Sequence, residues 1–133
     1  MKFKTDLITY EGIYRTIETE KLNLPTSEGR RTILANHMPL MMPLQVGVIE
    51  TSEHGELKHY AINGGVLYFK DNIAEIVADS ILDVAEIDID AALKEKAKEE
   101  EKLANARREN ERIRALNRLE VADNLIRAKE RYL

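Results

Sequence analysis

Apolar and polar residues alternate with period two through most of the first 87 positions, and a helical pattern then replaces them. Phe3, Thr5 and Leu7 fall on one side of the stretch from Phe3 to Thr9, as in a half-buried strand. The period continues through Ile13, Arg15 and Ile17, and again through Leu22 and Leu24 before Pro25. Further short strands are predicted at 32–34, 45–51, 57–62, 66–69 and 73–78, with a last extended piece around Ile81-Leu82. Turn residues punctuate them: Glu11-Gly12, Thr26-Ser27-Glu28-Gly29, Ser52-Glu53-His54-Gly55 and Lys70-Asp71-Asn72. Asn36 to Pro39 opens a loop reaching Met41-Met42-Pro43, and Asn63-Gly64-Gly65 is read as a bend between strands. About ten short strands with frequent turns predict an antiparallel β-sandwich over residues 1–87.

From Asp88 to Leu133 there is no Gly or Pro, and charged residues alternate with Ala, Leu and Ile. That is helix composition without a breaker. Asp88 or Asp90 can serve as the N-cap. Leu93, Ala97, Glu100 and Ala104 share one face, and Leu116, Leu119, Ala122, Ile126 and Leu133 share another further on. A single straight helix would run ~69 Å at 1.5 Å per residue. The apolar stripe is weak between its two ends, which favours an antiparallel two-helix hairpin bent near Asn105 to Asn110. The fold class is therefore mainly β plus α, with domains at 1–87 and 88–133. The stripe is narrow and alanine-rich, so the hairpin should be held weakly.

Charge changes this picture in one place. The net charge is −4, from 20 basic and 24 acidic residues. An acidic chain with few aromatics argues against nucleic acid as a partner. The tail, however, is ordered: its first part is acidic, while the part from Arg107 onward holds seven arginines. Such a helix suits carboxylate or phosphate partners, or is a solvated face with pairs along the helix. No cysteine is present, which fits a reducing compartment. No apolar run is long enough to cross a membrane, and no signal-peptide pattern opens the chain.

Candidate chemistry is sparse. His37, His54 and His59 lack the spacing of a cupin metal site, and surface or loop positions explain them better. Met38, Met41 and Met42 are either an adaptable contact surface or core filling. Gly64-Gly65 lacks the Lys-Ser/Thr that a phosphate loop needs. No catalytic constellation and no metal site is predicted, so the chain is not expected to be an enzyme on its own.

Several ordered segments resemble the epsilon subunit of bacterial rotary ATP synthases. They are Ser27-Glu28-Gly29 with Ile33-Leu34, Asn36-His37-Met38-Pro39-Leu40, Gly47, Tyr60 to Leu67 around Gly64-Gly65, and Ile76-Val77-Ala78-Asp79. The resemblance spans nearly the whole chain and implies a noncatalytic central-stalk subunit. It implies a sandwich that binds the gamma subunit and rests on the c-ring, with Glu28, Gly29, Arg30, Arg31 and His37 on the rotor side. It further implies helices that inhibit ATP hydrolysis, Arg107, Arg108, Arg112, Arg114 and Arg118 meeting an acidic segment of beta in the alpha/beta hexamer. Membrane association would be peripheral, through the complex, on the cytoplasmic face of a bacterial membrane. Arg30 stands where many relatives carry Glu, which puts the charge of the rotor contact in question. Some relatives bind ATP as a regulatory ligand, and the matching residues here are Ile87, Asp88, Ala92, Arg114 and Arg118. Ala91 replaces that motif's Arg; losing a charge-assisted pair of hydrogen bonds costs on the order of 1.5–3 kcal/mol. Weak or no ATP binding is the expectation, and no cofactor is required. A free-standing nucleotide-sensing module is the alternative reading from another class.

Overall fold

The computed structural model describes residues 1–132. They form two compact units, Met1–Asp83 and a second that begins at Val84. The first unit holds β1 (Phe3–Thr9), β2 (Gly12–Thr19), β3 (Lys21–Thr26), β4 (Gly29–Leu34), β5 (Leu40–Glu53), β6 (Glu56–Lys70), β7 (Ile73–Val77) and β8 (Ile81–Asp83). The second holds a short 3-10 turn at Val84–Glu86, then α1 (Ile89–Ala104) and α2 (Glu109–Tyr132).

The strands follow the order β2-β1-β7-β6-β5-β3-β4, with β8 added on β6. Every pairing is antiparallel except β1 with β7. The long β5–β6 hairpin belongs to both layers of the sandwich. Val66 to Lys70 of β6 pair with β7, whereas Tyr60 to Ile62 pair with β8. Its two-residue turn puts both His54 (φ 54°) and Gly55 (φ 81°) at positive φ. That mirror-image turn matches the right-handed twist of the flanking strands.

The eight strands correct the expected count of about ten. Residues 57–62 and 66–69 are not two strands with a bend between them: β6 runs through Asn63-Gly64-Gly65 without a break. The glycines absorb the change of layer inside the strand, at φ +96° and +148°. Likewise Met41-Met42-Pro43 is not loop but the start of β5, paired with Tyr68, Leu67 and Val66. Pro43 is tolerated there because that half of β5 has a partner strand on one side only. Met42 is buried, while Met38 and Met41 stay exposed, so the methionines divide between the two roles considered for them.

Phe3, Leu7, Leu22, Leu24, Ile49, Leu67, Phe69 and Ile76 fill the core at 3% exposure or less. Phe3 and Phe69 meet edge to face at 5.4 Å. One polar cluster is built into this unit. The Arg15 guanidinium donates to Asp83 Oδ2 (2.8 Å) and to the Tyr60 hydroxyl (3.3 Å), and that hydroxyl donates to Glu53 (2.8 Å). Burial, together with the Glu53 carboxylate, pushes the Tyr60 phenol up to about 12, against the opposing pull of Arg15. The cluster ties β2, β5 and β6 to the end of β8 with charge-assisted hydrogen bonds.

Candidate functional site

The second unit is organised by its caps. Asp88 adopts extended backbone (φ −88°, ψ 102°) and its carboxylate accepts from the Ala91 N–H at 3.1 Å. Asp88, not Asp90, is therefore the N-cap, as the helix rule requires for an otherwise unpaired N–H. Replacing Asp88 with Ala should lower the stability of α1 by about 1 kcal/mol. Slower helix formation is not implied, so the check is amide exchange over residues 91–95, which should accelerate in the variant. At the other end Asn105 caps α1, its N–H donating to Glu101 O at 3.1 Å. Arg107 N–H donates to Glu111 at the start of α2, and the chain reverses within four residues, 105–108. The hairpin bend thus lies where the two asparagines placed it.

The seam between the helices is not the one the leucines suggested. Ala92 and Glu99 are buried on α1, with Lys96 and Leu103 partly so, while Leu93 is 49% exposed. On α2 Ala115, Ala122 and Ile126 are buried and Leu119 partly so, while Leu116 is exposed. On α1 the seam sits one residue from the expected position, and on α2 it differs only at its start, where Ala115 replaces Leu116. Small side chains take the close-approach positions, so the bulkier Leu93 and Leu116 are left outside. Leu119, Ala122 and Ile126 fall where expected, and Leu133 lies outside the described residues. The register is marked by Lys96 Nζ to Asp123 at 3.0 Å, and Arg118 stands across the seam from Glu99 at 3.6 Å.

Beside that seam an open cleft of about 530 Å³ is lined by Lys98, Glu99, Lys102, Asn105, Arg114 and Arg118, among others. Arg107, Arg108, Arg112, Arg114 and Arg118 are all exposed. The residues matching the ATP motif do not gather in this hairpin. Arg118 stands across from Glu99 and Arg114 lines the same cleft nearer the bend, whereas Asp88 spends its carboxylate on the cap and Ala92 lies seven residues before Glu99. Seven residues of helix is about 10 Å.

The first unit offers two surfaces. The β3–β4 turn exposes Glu28, Gly29, Arg30 and Arg31, with Arg30 held against Asn23 through Nε at 2.6 Å. His37 is half-buried, edge-on to Phe69 at 6.1 Å, and its Nδ1 lies 2.8 Å from Met38 O. His59 pairs with Glu50 at 3.0 Å, and His54 serves the hairpin turn. Burial disfavours the Glu50 carboxylate, but Lys21 and His59 outweigh it and hold the group below its usual range. Among the described residues no three His, Cys, Asp or Glu stand together as metal ligands.

The second surface was not anticipated. Strand register lines up Pro43, Val66, Val77, Ile8 and Ile13 across β5, β6, β7, β1 and β2. Directly paired residues share a face, so this is an unbroken apolar row across five strands. Val77 is 41% and Ile13 63% exposed. Met41 and Tyr68 widen the row, and beside them lies an open groove of about 670 Å³ that includes Tyr68 and Ile73. Ile13 reaches this face because β2 bulges at Tyr14: Leu7 pairs with Arg15 but Ile8 pairs with Ile13. The bulge breaks the period that grouped Ile13 with Arg15 and Ile17. A signal was present in the apolar doublets Leu7-Ile8, Val66-Leu67 and Ile76-Val77, which make strands apolar on both faces.

A two-layer sandwich with an apolar outer row, followed by a helical pair whose second helix is rich in arginine, has the build of a subunit that docks into a larger assembly. Residues 2–84 match the family described as ATP synthase, Delta/Epsilon chain, beta-sandwich domain, and the chain belongs to that family. It is 34% identical over 124 residues to an ATP synthase epsilon chain of Lactobacillus helveticus, covering 90% of this chain and 84% of that one. It is 34% identical over 129 residues to the epsilon chain of Caldicellulosiruptor bescii, with 92% and 94% covered. Among solved structures, a chain of the Euglena gracilis mitochondrial ATP synthase superposes with a TM-score of 0.77 at 22% identity, covering 93% of this chain and 79% of that one. A chain of the Tetrahymena thermophila mitochondrial ATP synthase central stalk and c-ring gives 0.69 at 18%, with 97% of each covered. At those identities the superpositions establish the shared fold, helical pair included.

Proposed function

We propose that this chain is a noncatalytic central-stalk subunit of a proton-translocating ATP synthase. The sandwich docks on the gamma subunit and the c-ring and helps couple rotation to catalysis, and the hairpin restrains ATP hydrolysis. The observation that carries the reading is the exposed apolar row from Pro43 to Ile13, a face that a permanent partner would cover. Gamma is its occupant, and the turn from Glu28 to Arg31 together with the loop at His37 faces the c-ring. The arginines of α2 meet an acidic segment of beta in the alpha/beta hexamer. Exposed ion pairs contribute only ~0.2–1 kcal/mol each, so inhibition is spread over Arg107, Arg108, Arg112, Arg114 and Arg118 and weakens with salt. No helix among the described residues is long and apolar enough to cross a membrane. Attachment is accordingly peripheral, on the cytoplasmic face of a bacterial membrane through the complex. ATP is at most a weak regulatory ligand, given Ala91 and the separation of Asp88 from Arg118.

Ending the chain after Ile87 removes both helices and tests the inhibitory part. In a complex reconstituted with gamma and the alpha/beta hexamer, hydrolysis should rise severalfold over the complex with the full chain. An unchanged rate would remove inhibition from the account and leave docking intact.

A further inference from the structure

Most charged side chains of the hairpin face water; Glu99 does not. It is 1% exposed, in the seam opposite Ala115 and Arg118, and neither carboxylate oxygen has a hydrogen-bond partner. Two cations stand near Oε1, Lys102 one turn along the same helix and Arg118 across the seam, each at 3.6 Å. Both are about half exposed and so remain largely hydrated. A buried carboxylate needs close, multiple donors to offset the loss of water, and distant half-solvated cations do not supply them. Apart from the Lys96–Asp123 pair, the rest of the seam is mostly alanine and leucine with one isoleucine, which gives little burial to compensate.

We infer that Glu99 is a built-in release element: its buried carboxylate, facing two half-exposed cations at 3.6 Å but hydrogen-bonded by neither, destabilises the closed α1–α2 hairpin, and opening the hairpin returns it to water. Residues on either side of the seam would otherwise make a modest but adequate contact, with Lys96–Asp123 holding the register. Glu99 sets how often that contact parts. Such a residue keeps the closed form populated without making it a trap. The device belongs to the hairpin itself and does not depend on what the open arms then bind.

Amide exchange on the full chain tests it. Glu99→Gln keeps the shape and removes the charge, and Glu99→Met replaces the carboxylate with an apolar chain of similar length. Glu95→Gln, on the exposed side of α1, is the control. Exchange of the amides in 96–103 and 115–126 should slow by at least fivefold in E99Q and stay at the parent rate in E95Q. Exchange in E99Q equal to or faster than the parent would overturn the proposal, since Glu99 would then be neutral or a net stabiliser. Should E99Q not fold, the same criterion applies to E99M. Because the readout is exchange in the isolated chain, failure here is separate from failure of the truncation to relieve inhibition.

Discussion

Gly65→Ala is expected to destabilise the sandwich by about 4 kcal/mol, a loss large enough to leave much of the protein unfolded. A Cβ at position 65 would stand 2.3 Å from the Val77 carbonyl oxygen and 2.9 Å from the Ala78 Cβ. Neither neighbour can yield cheaply, because Val77 is paired to Val66 on one side and to Ile8 on the other. The φ of +148° adds strain that an L side chain rarely accepts. Gly64→Ala is the internal comparison. Its φ of +96° is also unfavourable, but the added Cβ would meet only Leu44 O at 3.4 Å. That variant should lose about 1–2 kcal/mol, mostly from backbone strain. Urea unfolding at unchanged slope measures both. Equal losses at the two positions would mean that the crowding against Val77 is not what fixes the glycine.

Replacing Ile13 and Val77 together by lysine should weaken binding to the gamma-containing complex by at least ~100-fold, equivalent to about 2.7 kcal/mol. The two positions sit in the same row, one at the end of β2 and one in β7. An ammonium group buried beneath a partner without a counter-charge carries a desolvation cost that the partner surface was not built to offset. In the free chain the same lysines remain in water, near Asp6 and Glu75 in the adjacent row of strand pairs. The fold should therefore lose little, as most exposed substitutions do. Titration of the variant against the complex, with unfolding measured in parallel, separates docking from stability. Binding at the parental affinity would move the interface to another face.

What the sequence made legible follows the range over which each feature is decided. β1, the turn at His54-Gly55 and the reversal after Asn105 depend on neighbouring residues, and period and turn chemistry located all three, while the cap was narrowed to Asp88 or Asp90. The unbroken β5 and β6 depend on partner strands far away in the chain. Asn63-Gly64-Gly65 has the local signature of a loop, and only pairing with β5 makes it strand. The seam was missed by one position along α1 and at Leu116 on α2, while Leu119, Ala122 and Ile126 were placed correctly. Close helix approach instead selected Ala92 and Ala115, and with them it buried Glu99, which as a charge in a charged helix carries no signal. The outer row was hidden by the bulge at Tyr14, since a single extra residue moves every following side chain to the other face. The Arg-rich part of α2 was visible as composition. Its separation from Asp88 and Ala92 required the register of the hairpin.

The central claim is that this chain occupies a central stalk. Mixing the full chain with gamma and the alpha/beta hexamer, followed by size separation and quantification of each subunit, tests it most directly. The account predicts one copy of the chain per gamma, retained when the chain is ended after Ile87 and lost in the Ile13/Val77 lysine variant. A chain that elutes apart from gamma, or that joins the hexamer only through its helices, would contradict it.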